Sequence, residues 1–84
     1  MNEIEREQKL QLSFRQALAL PVNFDCRSAA SETMAQWDSV AHLQLVVAIE
    51  DEFGIHLNSG DVVDLQSYTA AVAILRKHGI WGNV

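Results

Sequence analysis

The fold is decided by residues 37–55, which read WDSVAHLQLVVAIEDEFGI. Asp38 is a favourable N-cap, because its carboxylate can accept hydrogen bonds from the free backbone N–H groups of a first helical turn. Gly54 stands where a helix ends in a left-handed conformation. These signals predict a helix over residues 39–53, about 22 Å long at ~1.5 Å per residue. Its predicted apolar stripe is Val40, Leu43, Val46, Val47, Ile49 and Phe53, and its predicted solvated side is His42, Gln44, Glu50, Asp51 and Glu52.

An amphipathic helix is predicted before this stretch, over residues 3–20. It stops before Pro21, which disfavours helix in the residue that precedes it. Its apolar positions recur at helical spacing and are Ile4, Leu10, Phe14, Ala17 and Leu18. Residues 22–36 hold no steady period and are rich in turn formers, so they are predicted to form a long loop.

Two helical segments are predicted after Gly54. Ser59 is a candidate cap for a short turn over residues 61–64, and Ser67 for a last helix over residues 68–78. Ile80 and Trp81 are expected to fold back on the core after this helix ends at Gly79. The sequence therefore predicts a single all-α domain over residues 1–84, a small bundle of three main helices plus one short helix.

The composition argues against several classes of protein. The 84 residues carry a net charge of −5, and residues 38–64 hold six acidic side chains and no Lys or Arg. This balance argues against nucleic-acid binding and indicates partners with a basic face. The single cysteine excludes an internal disulfide, and no apolar run reaches the ~20 residues that span a membrane. The charged N-terminal residues do not resemble a signal peptide, so a cytoplasmic location without membrane insertion is expected.

Catalytic and metal-binding chemistry find little support in the sequence. His42 follows Ser39 on the predicted helix, where it is expected to be solvated, and no carboxylate is placed to orient it for a hydrolase triad. His42, His56 and His78 lie on three different elements without paired ligand spacing, so no metal site is predicted. Cys26 is interpreted as a thiol without a role, since only Arg27 beside it favours the thiolate.

Ser39 is the hydroxyl that the pattern singles out. It follows the cap Asp38 at the first helical position, so its hydroxyl is predicted to project into solvent from a rigid platform. The N-terminus of a helix also favours an attached phosphate, because free N–H groups and the positive end of the dipole lie there. An Asp-Ser pair is also a common way to begin a helix, so the dipeptide alone assigns no function.

The wider stretch resembles the acyl carrier proteins. In that family an Asp-Ser pair opens the second helix, which ends in an acidic run followed by Phe-Gly-Ile, as residues 50–55 do here. The resemblance covers residues 37–75, because residues 61–65 and 67–74 fall at the family's third and fourth helices. It implies an all-α carrier fold, in agreement with the helices predicted above.

The resemblance also implies a function for Ser39, in a motif with Asp38 and Val40. A phosphopantetheinyl transferase using coenzyme A would attach 4′-phosphopantetheine there, and the terminal thiol of that arm would hold an acyl group as a thioester. The chain itself would catalyse nothing and would present its cargo, as a monomer, to a loading ligase and to acyl-processing enzymes with basic docking faces. The implied docking residues are Val40, Gln44, Val47, Glu50 and Asp51. The residues that line an implied acyl-chain cleft, or simply fill the core, are Val46, Ile49, Phe53, Leu57, Leu65, Ala71 and Ile74.

The chain departs from the carriers of fatty acid synthesis at several positions. Ala41 and Gln44 stand where that type has acids, Val40 replaces a Leu, and Trp37 replaces a small residue. The sequence therefore predicts a specialised carrier of lipid or secondary-metabolite biosynthesis. Two alternatives stay open: an aminoacyl or peptidyl carrier with the same arm, and an acidic helical interaction module without a prosthetic group.

Overall fold

The chain forms four helices in a computed structural model that describes residues 2–81. They are α1 (Glu3–Leu18), α2 (Ser39–Phe53), α3 (Ser59–Asp64) and α4 (Tyr68–Lys77). Two short 3₁₀ turns, Cys26–Ser28 and Ser31–Thr33, lie in the long segment between α1 and α2. Within residues 2–81 there is no strand, only one isolated antiparallel bridge between Ala30 and Ser67. The predicted all-α fold of three main helices and one short helix is confirmed.

Helix α2 has the predicted bounds, because both of its ends carry a local signal. The Asp38 carboxylate accepts a hydrogen bond from the Ala41 backbone N–H over 2.9 Å. At the other end Gly54 adopts a left-handed conformation with φ 64° and donates its N–H to the Glu50 carbonyl. A residue without a side chain adopts this conformation at little cost, which is why glycine ends so many helices.

Helix α1 is shorter than predicted, since it ends at Leu18 rather than at residue 20. Ala19 leaves the helix in a left-handed conformation with φ 53°, and its N–H bonds to the Arg15 carbonyl. The chain thus turns away before it reaches Pro21, whose ring disfavours helix in the residue before it. Ile4, one of the apolar positions that recur at helical spacing, is 67% exposed near the start of the helix.

The cap of α3 differs from the prediction, whereas the cap of α4 is as predicted. Helix α3 begins at Ser59, and Asn58 caps it by accepting from the Asp61 N–H over 2.8 Å. Asp61 reaches back to the Asn58 N–H, which completes a reciprocal capping box. Ser67 caps α4 by accepting from the Ala70 N–H over 2.9 Å, and the helix ends at Lys77, one residue earlier than predicted.

Aromatic side chains hold the core together at Phe14, which is fully buried on α1. Its ring packs edge-on against Trp37 at 5.7 Å and tilted against Tyr68 at 5.3 Å between ring centroids. This cluster joins α1, the residues that lead into α2, and the start of α4. Ile80 and Trp81 pack against the same core as predicted. The start of α2 thus lies at the surface of the bundle, and the buried Trp37 just before it packs against Phe14 in the core.

Candidate functional site

Ser39 is the first residue of α2 and is exposed. The Asp38 carboxylate fixes the turn beneath it by binding the Ala41 N–H, and the Asp38 carbonyl accepts from the His42 N–H over 2.8 Å. A side chain at the first helical position lies beside backbone N–H groups that have no partner within the helix. The Ser39 hydroxyl is therefore offered to solvent from a rigid helix end.

A surface depression of about 670 Å³ opens beside Ser39, between the start of α2 and α3. Trp37, which is buried, and the half-buried His42 lie in its wall. The lining residues are Ser31, Trp37, Asp38, Ser39, His42, Leu43, Val62, Val63 and Gln66. The depression has room for a flexible group attached at Ser39 to lie against the protein.

A chain of hydrogen bonds runs through the wall of this depression from Trp37 to α3. The Trp37 indole N–H donates to His42 Nδ1 over 2.9 Å, and His42 Nε2 lies 2.7 Å from the Val62 carbonyl oxygen. Because an indole nitrogen can only donate, His42 Nδ1 must accept, and the ring proton must lie on Nε2 and point at Val62. The expectation of a solvated His42 was therefore wrong, since this ring ties α2 to α3.

This arrangement also limits what His42 can do chemically. A general base for Ser39 needs a free ring nitrogen within hydrogen-bond reach of the hydroxyl. Both ring nitrogens of His42 are occupied, one by Trp37 and one by Val62. Its position close to Ser39 therefore makes no nucleophile–base pair. The sequence carried no signal for this link, because Trp37 lies outside the helix and Val62 takes part through its backbone.

The outer face of α2 carries three exposed aliphatic side chains. Val40, Leu43 and Val47 are 64%, 61% and 54% exposed, although they were predicted to belong to the apolar stripe that faces the core. The prediction that these three side chains face the core was wrong. Helix α2 carries apolar residues on nearly all of its faces, and its packing against α1 decides which of them are buried. The residues of α2 that are buried are Ala41, Leu45, Val46, Ile49 and Phe53.

The acidic segment, residues 38–64, does not form one continuous surface. Asp51 is exposed, as is Gln44 seven residues earlier on α2, but Glu50 turns inward and accepts from the Leu57 backbone N–H over 2.8 Å. The expectation that Glu50 lies on the solvated side was therefore wrong. Of the five residues that the resemblance implies for partner docking, Val40, Gln44, Val47 and Asp51 are exposed, and only Glu50 is engaged within the chain.

Asp61 of α3 does not contribute to the acidic surface, because its side chain is fully buried. Its carboxylate binds the Lys77 ammonium and lies 2.8 Å from His78 Nε2, both at the end of α4. These hydrogen bonds, first that of Lys77 and then that of His78, lower the pKa of Asp61 from 3.8 to about 2. Asp61 thus anchors α3 to α4, and three of the six acids in the segment, Asp38, Glu50 and Asp61, serve the fold.

The residues implied for an acyl-chain cleft all belong to one buried core cluster, together with Cys26. They are Val46, Ile49, Phe53, Leu57, Leu65, Ala71 and Ile74. Burial raises the pKa of the Cys26 thiol, although the charge of Arg15 opposes this shift. A buried thiol with a raised pKa is a poor nucleophile, so Cys26 serves the core.

Among residues 2–81, no group of three or more His, Cys, Asp or Glu side chains could hold a metal ion. None of the helices in this part of the chain is long and apolar enough to cross a membrane. Comparison with models of protein families, with curated proteins and with solved structures finds no match to this chain.

Proposed function

We propose that the chain is a carrier protein that bears 4′-phosphopantetheine on Ser39 and presents an acyl group to partner enzymes of a specialised biosynthetic pathway. The observation that carries this proposal is an exposed Ser39 hydroxyl at the first position of a capped helix, beside an open depression of about 670 Å³. The chain's own contribution is to hold and present the group. Both ring nitrogens of the neighbouring His42 are occupied, which supports a role without catalysis.

The residues around Ser39 fit the proposed group. Attachment requires the Ser39 oxygen to form a phosphodiester with the pantetheine phosphate of coenzyme A, while the nucleotide half leaves and the transferase takes the hydroxyl proton. The product places a negative phosphate at a helix N-terminus, where the dipole and free N–H groups stabilise it. The arm supplies a thiol that holds the cargo as a thioester, and tethering raises the effective concentration of that cargo at a partner's active site.

Intact mass after incubation with coenzyme A and a broad-specificity phosphopantetheinyl transferase tests the proposal. We expect a gain of one phosphopantetheine group for the wild type and none for Ser39→Ala. The chain offers a matched control in Ser59, which is also exposed and is also the first residue of a capped helix. Ser59→Ala should be modified like the wild type. No mass gain in the wild type, or an unchanged gain in Ser39→Ala, contradicts the proposal.

The proposal also covers the group carried on the arm and the cytoplasmic location of the protein. Both are tested on protein from the native host. The mass of the modified protein there distinguishes an acyl from an aminoacyl or peptidyl group on the arm. The expected cytoplasmic location and the monomeric state stay predictions, which fractionation and sedimentation measure directly.

A helical interaction module without a prosthetic group is the competing candidate. The exposed aliphatic side chains of Val40, Leu43 and Val47 favour it as much as they favour a carrier, because both functions need a docking face. The two candidates differ at Ser39. Binding and downstream activity that survive Ser39→Ala support the module, whereas loss of downstream activity with binding retained supports the carrier.

A further inference from the structure

A second surface depression, of about 370 Å³, lies on a face of the bundle to which α2 and α3 contribute no residue. Its lining comes from Glu7 of α1, Arg27 of the first 3₁₀ turn, the side of α4 between Tyr68 and Arg76, and Trp81. The volume lies at the lower end of the range of ligand pockets, about 300–1,000 Å³, and therefore fits a compact ligand. Because no residue of α2 takes part, this depression is separate from the proposed attachment site and from the implied docking residues.

Positive charge surrounds this depression, although the chain has a net charge of −5. Arg27 and Arg76 lie in its lining, with Glu7 as the one acid there. The Arg6 guanidinium lies 5.8 Å from the centroid of the Trp81 ring, which belongs to the same lining. Three of the six Lys and Arg side chains thus stand at one depression. A concave site with a local excess of one charge attracts ligands of the opposite charge, so an anion is the expected class of ligand.

Both arginines of the lining have hydrogen-bond donors to offer. Arg27 binds Glu7 through Nη2 alone, at 3.0 Å and 3.3 Å from the two carboxylate oxygens. Within residues 2–81, neither Nε nor Nη1 of Arg27 makes a hydrogen bond, and the Arg76 side chain has no hydrogen bond or ion pair. A guanidinium carries five N–H donors in a planar fork that matches a carboxylate. A carboxylate between Arg27 and Arg76 would therefore meet charge-assisted donors from both residues.

Tyr68 provides an independent observation at the same place. It is only 5% exposed, and its hydroxyl oxygen is buried without a hydrogen-bond partner among the described residues. The Gln11 side chain lies near this hydroxyl, but the two form no hydrogen bond of standard geometry. Burial raises the pKa of the hydroxyl, and the charges of Glu7 and Arg27 also act on it, so it keeps its proton at neutral pH and lies on their side of the depression. A buried donor without an acceptor is costly, and a carboxylate is the partner whose chemistry fits it.

The rest of the lining includes an apolar wall. Trp81 and Val72 are half-buried and pack against the core, and Ala73 is exposed in the same lining. These side chains offer no partner to a bare inorganic anion, but they can bury the apolar surface of an organic ligand. The depression thus combines donors for a carboxylate with a wall for an apolar group.

We propose that this depression binds a small organic anion whose carboxylate lies between Arg27 and Arg76. A compact apolar group attached to that carboxylate packs against Trp81 and Val72. The inference goes beyond the proposed function and does not rest on it, because Ser39 and α2 take no part. A ligand held there contacts α1, the first 3₁₀ turn and α4 together, so it should also stabilise the folded chain.

Titration of the unmodified protein with phenylacetate, followed by NMR of the isotope-labelled chain, tests this inference. We expect saturable shifts of the Trp81 indole N–H and of the Thr69 and Ala73 backbone N–H groups, with a Kd on the order of 1 mM, and no shift at Ser39. Phenylacetamide has the same apolar group without the charge and should bind at least about tenfold more weakly. Inorganic phosphate has the charge without the apolar group and should also bind at least about tenfold more weakly.

Three variants locate the bound carboxylate. Arg76→Gln should raise the Kd for phenylacetate about tenfold, because it removes a charged donor. Arg15→Gln is the matched control, since it removes the same charge from a residue outside the lining, and it should keep the Kd within about twofold. Tyr68→Phe removes only the hydroxyl and should raise the Kd about threefold without lowering stability. Urea unfolding shows whether all variants fold.

Each unfavourable result overturns the inference in a different way. Absence of saturable binding to the wild type shows that the depression is not a ligand site. Equal Kd values for phenylacetate and phenylacetamide reduce it to an apolar depression, and phosphate that binds as tightly as phenylacetate makes it a site for inorganic anions. A wild-type Kd in Arg76→Gln removes the arginine pair from the site. None of these results bears on attachment at Ser39, which the mass experiment decides separately.

Discussion

The Glu50 carboxylate accepts a hydrogen bond from the Leu57 backbone N–H over 2.8 Å. Glu50 lies in the last turn of α2, and Leu57 is buried in the connection that leads to α3. The bond therefore fixes the path of the chain after Gly54. His56 approaches the same oxygen at 3.2 Å, but its side chain is 90% exposed and contributes little. A substitution at Glu50 is consequently expected to change the stability of the protein, in addition to any effect on partner docking.

We predict that Glu50→Ala destabilises the protein by about 1–3 kcal/mol, because it leaves a part-buried N–H without its charged acceptor. Asp51→Ala, at the exposed neighbouring position, should change the free energy of unfolding by less than about 0.5 kcal/mol. Urea unfolding followed by circular dichroism measures both. Equal unfolding midpoints for the two variants contradict the structural role of Glu50.

The link from Trp37 through His42 to Val62 predicts a second stability effect. His42→Ala leaves the buried indole N–H and the Val62 carbonyl without their shared partner, so we expect a loss of about 2 kcal/mol. His56→Ala is a matched histidine control and should cost less than about 1 kcal/mol, because His56 is exposed. The free energy of unfolding in urea is the measurement. A loss no larger than that of His56→Ala shows that the link does not stabilise α3.

Asp61 predicts a specific dependence of stability on pH. Its pKa is about 2 in the folded chain, against an ordinary value of 3.8. At a pH between these two pKa values, the Asp61 carboxylate is mostly protonated in the unfolded chain and mostly ionised in the folded chain. The stabilisation is therefore present above about pH 4 and is lost as the pH falls towards 2. Unfolding free energies between about pH 5 and about pH 2.5 should fall less steeply for Asp61→Asn than for the wild type. A slope for Asp61→Asn as steep as that of the wild type contradicts this role of Asp61.

Ala19 and Gly54 both adopt a left-handed backbone conformation, so exchanging alanine for glycine at one and glycine for alanine at the other should change the stability in opposite directions. Ala19→Gly should stabilise the protein by about 0.5–1 kcal/mol, because glycine adopts a positive φ without steric cost. Gly54→Ala should destabilise it by about 1 kcal/mol for the same reason. Thermal and urea unfolding of both variants check the pair. Destabilisation by Ala19→Gly contradicts the φ of 53° at this residue.

Cys26 predicts how the thiols of the protein react. It is buried and burial raises the pKa of its thiol, so the native unmodified chain should react with an aromatic disulfide reagent only as fast as it unfolds. After modification with coenzyme A and the transferase, we expect one additional thiol that reacts rapidly, from the arm. Cys26→Ser with the arm attached should retain that rapid reaction. A rapid reaction of the unmodified wild type contradicts the burial of Cys26.

The ends of a helix were predictable from the sequence where a capping residue or a glycine marks them. Asp38 and Gly54 bracket α2, and both act within one turn of their own position, so the bounds were correct. The end of α1 was not, because an alanine at φ 53° gives no signal of its own. At α3, Asn58 and Ser59 are both good caps, and the reciprocal bond with Asp61 decides in favour of Asn58.

The site was predictable only in part, for a different physical reason. Exposure of Ser39 follows from its place after the cap, which is a local property. The exposure of Leu43 and the inward turn of Glu50 depend on how α2 packs against α1 and against the chain after Gly54. Periodicity could not decide between the faces of a helix that is apolar nearly all round. The bonds of His42 and Asp61 join elements that only the tertiary fold brings together.

The position of Trp37 has a consequence for experiment. Its indole lies in the wall of the depression beside Ser39 and is one of two tryptophans in the chain. Trp81→Phe would leave Trp37 as the sole tryptophan, with its N–H held by His42 at a fixed distance. Because this indole lies in the wall of the depression, we expect its fluorescence to change when a group occupies the depression. If Ser39 is modified as proposed, we expect this fluorescence to change, and the change can be followed in real time without a label.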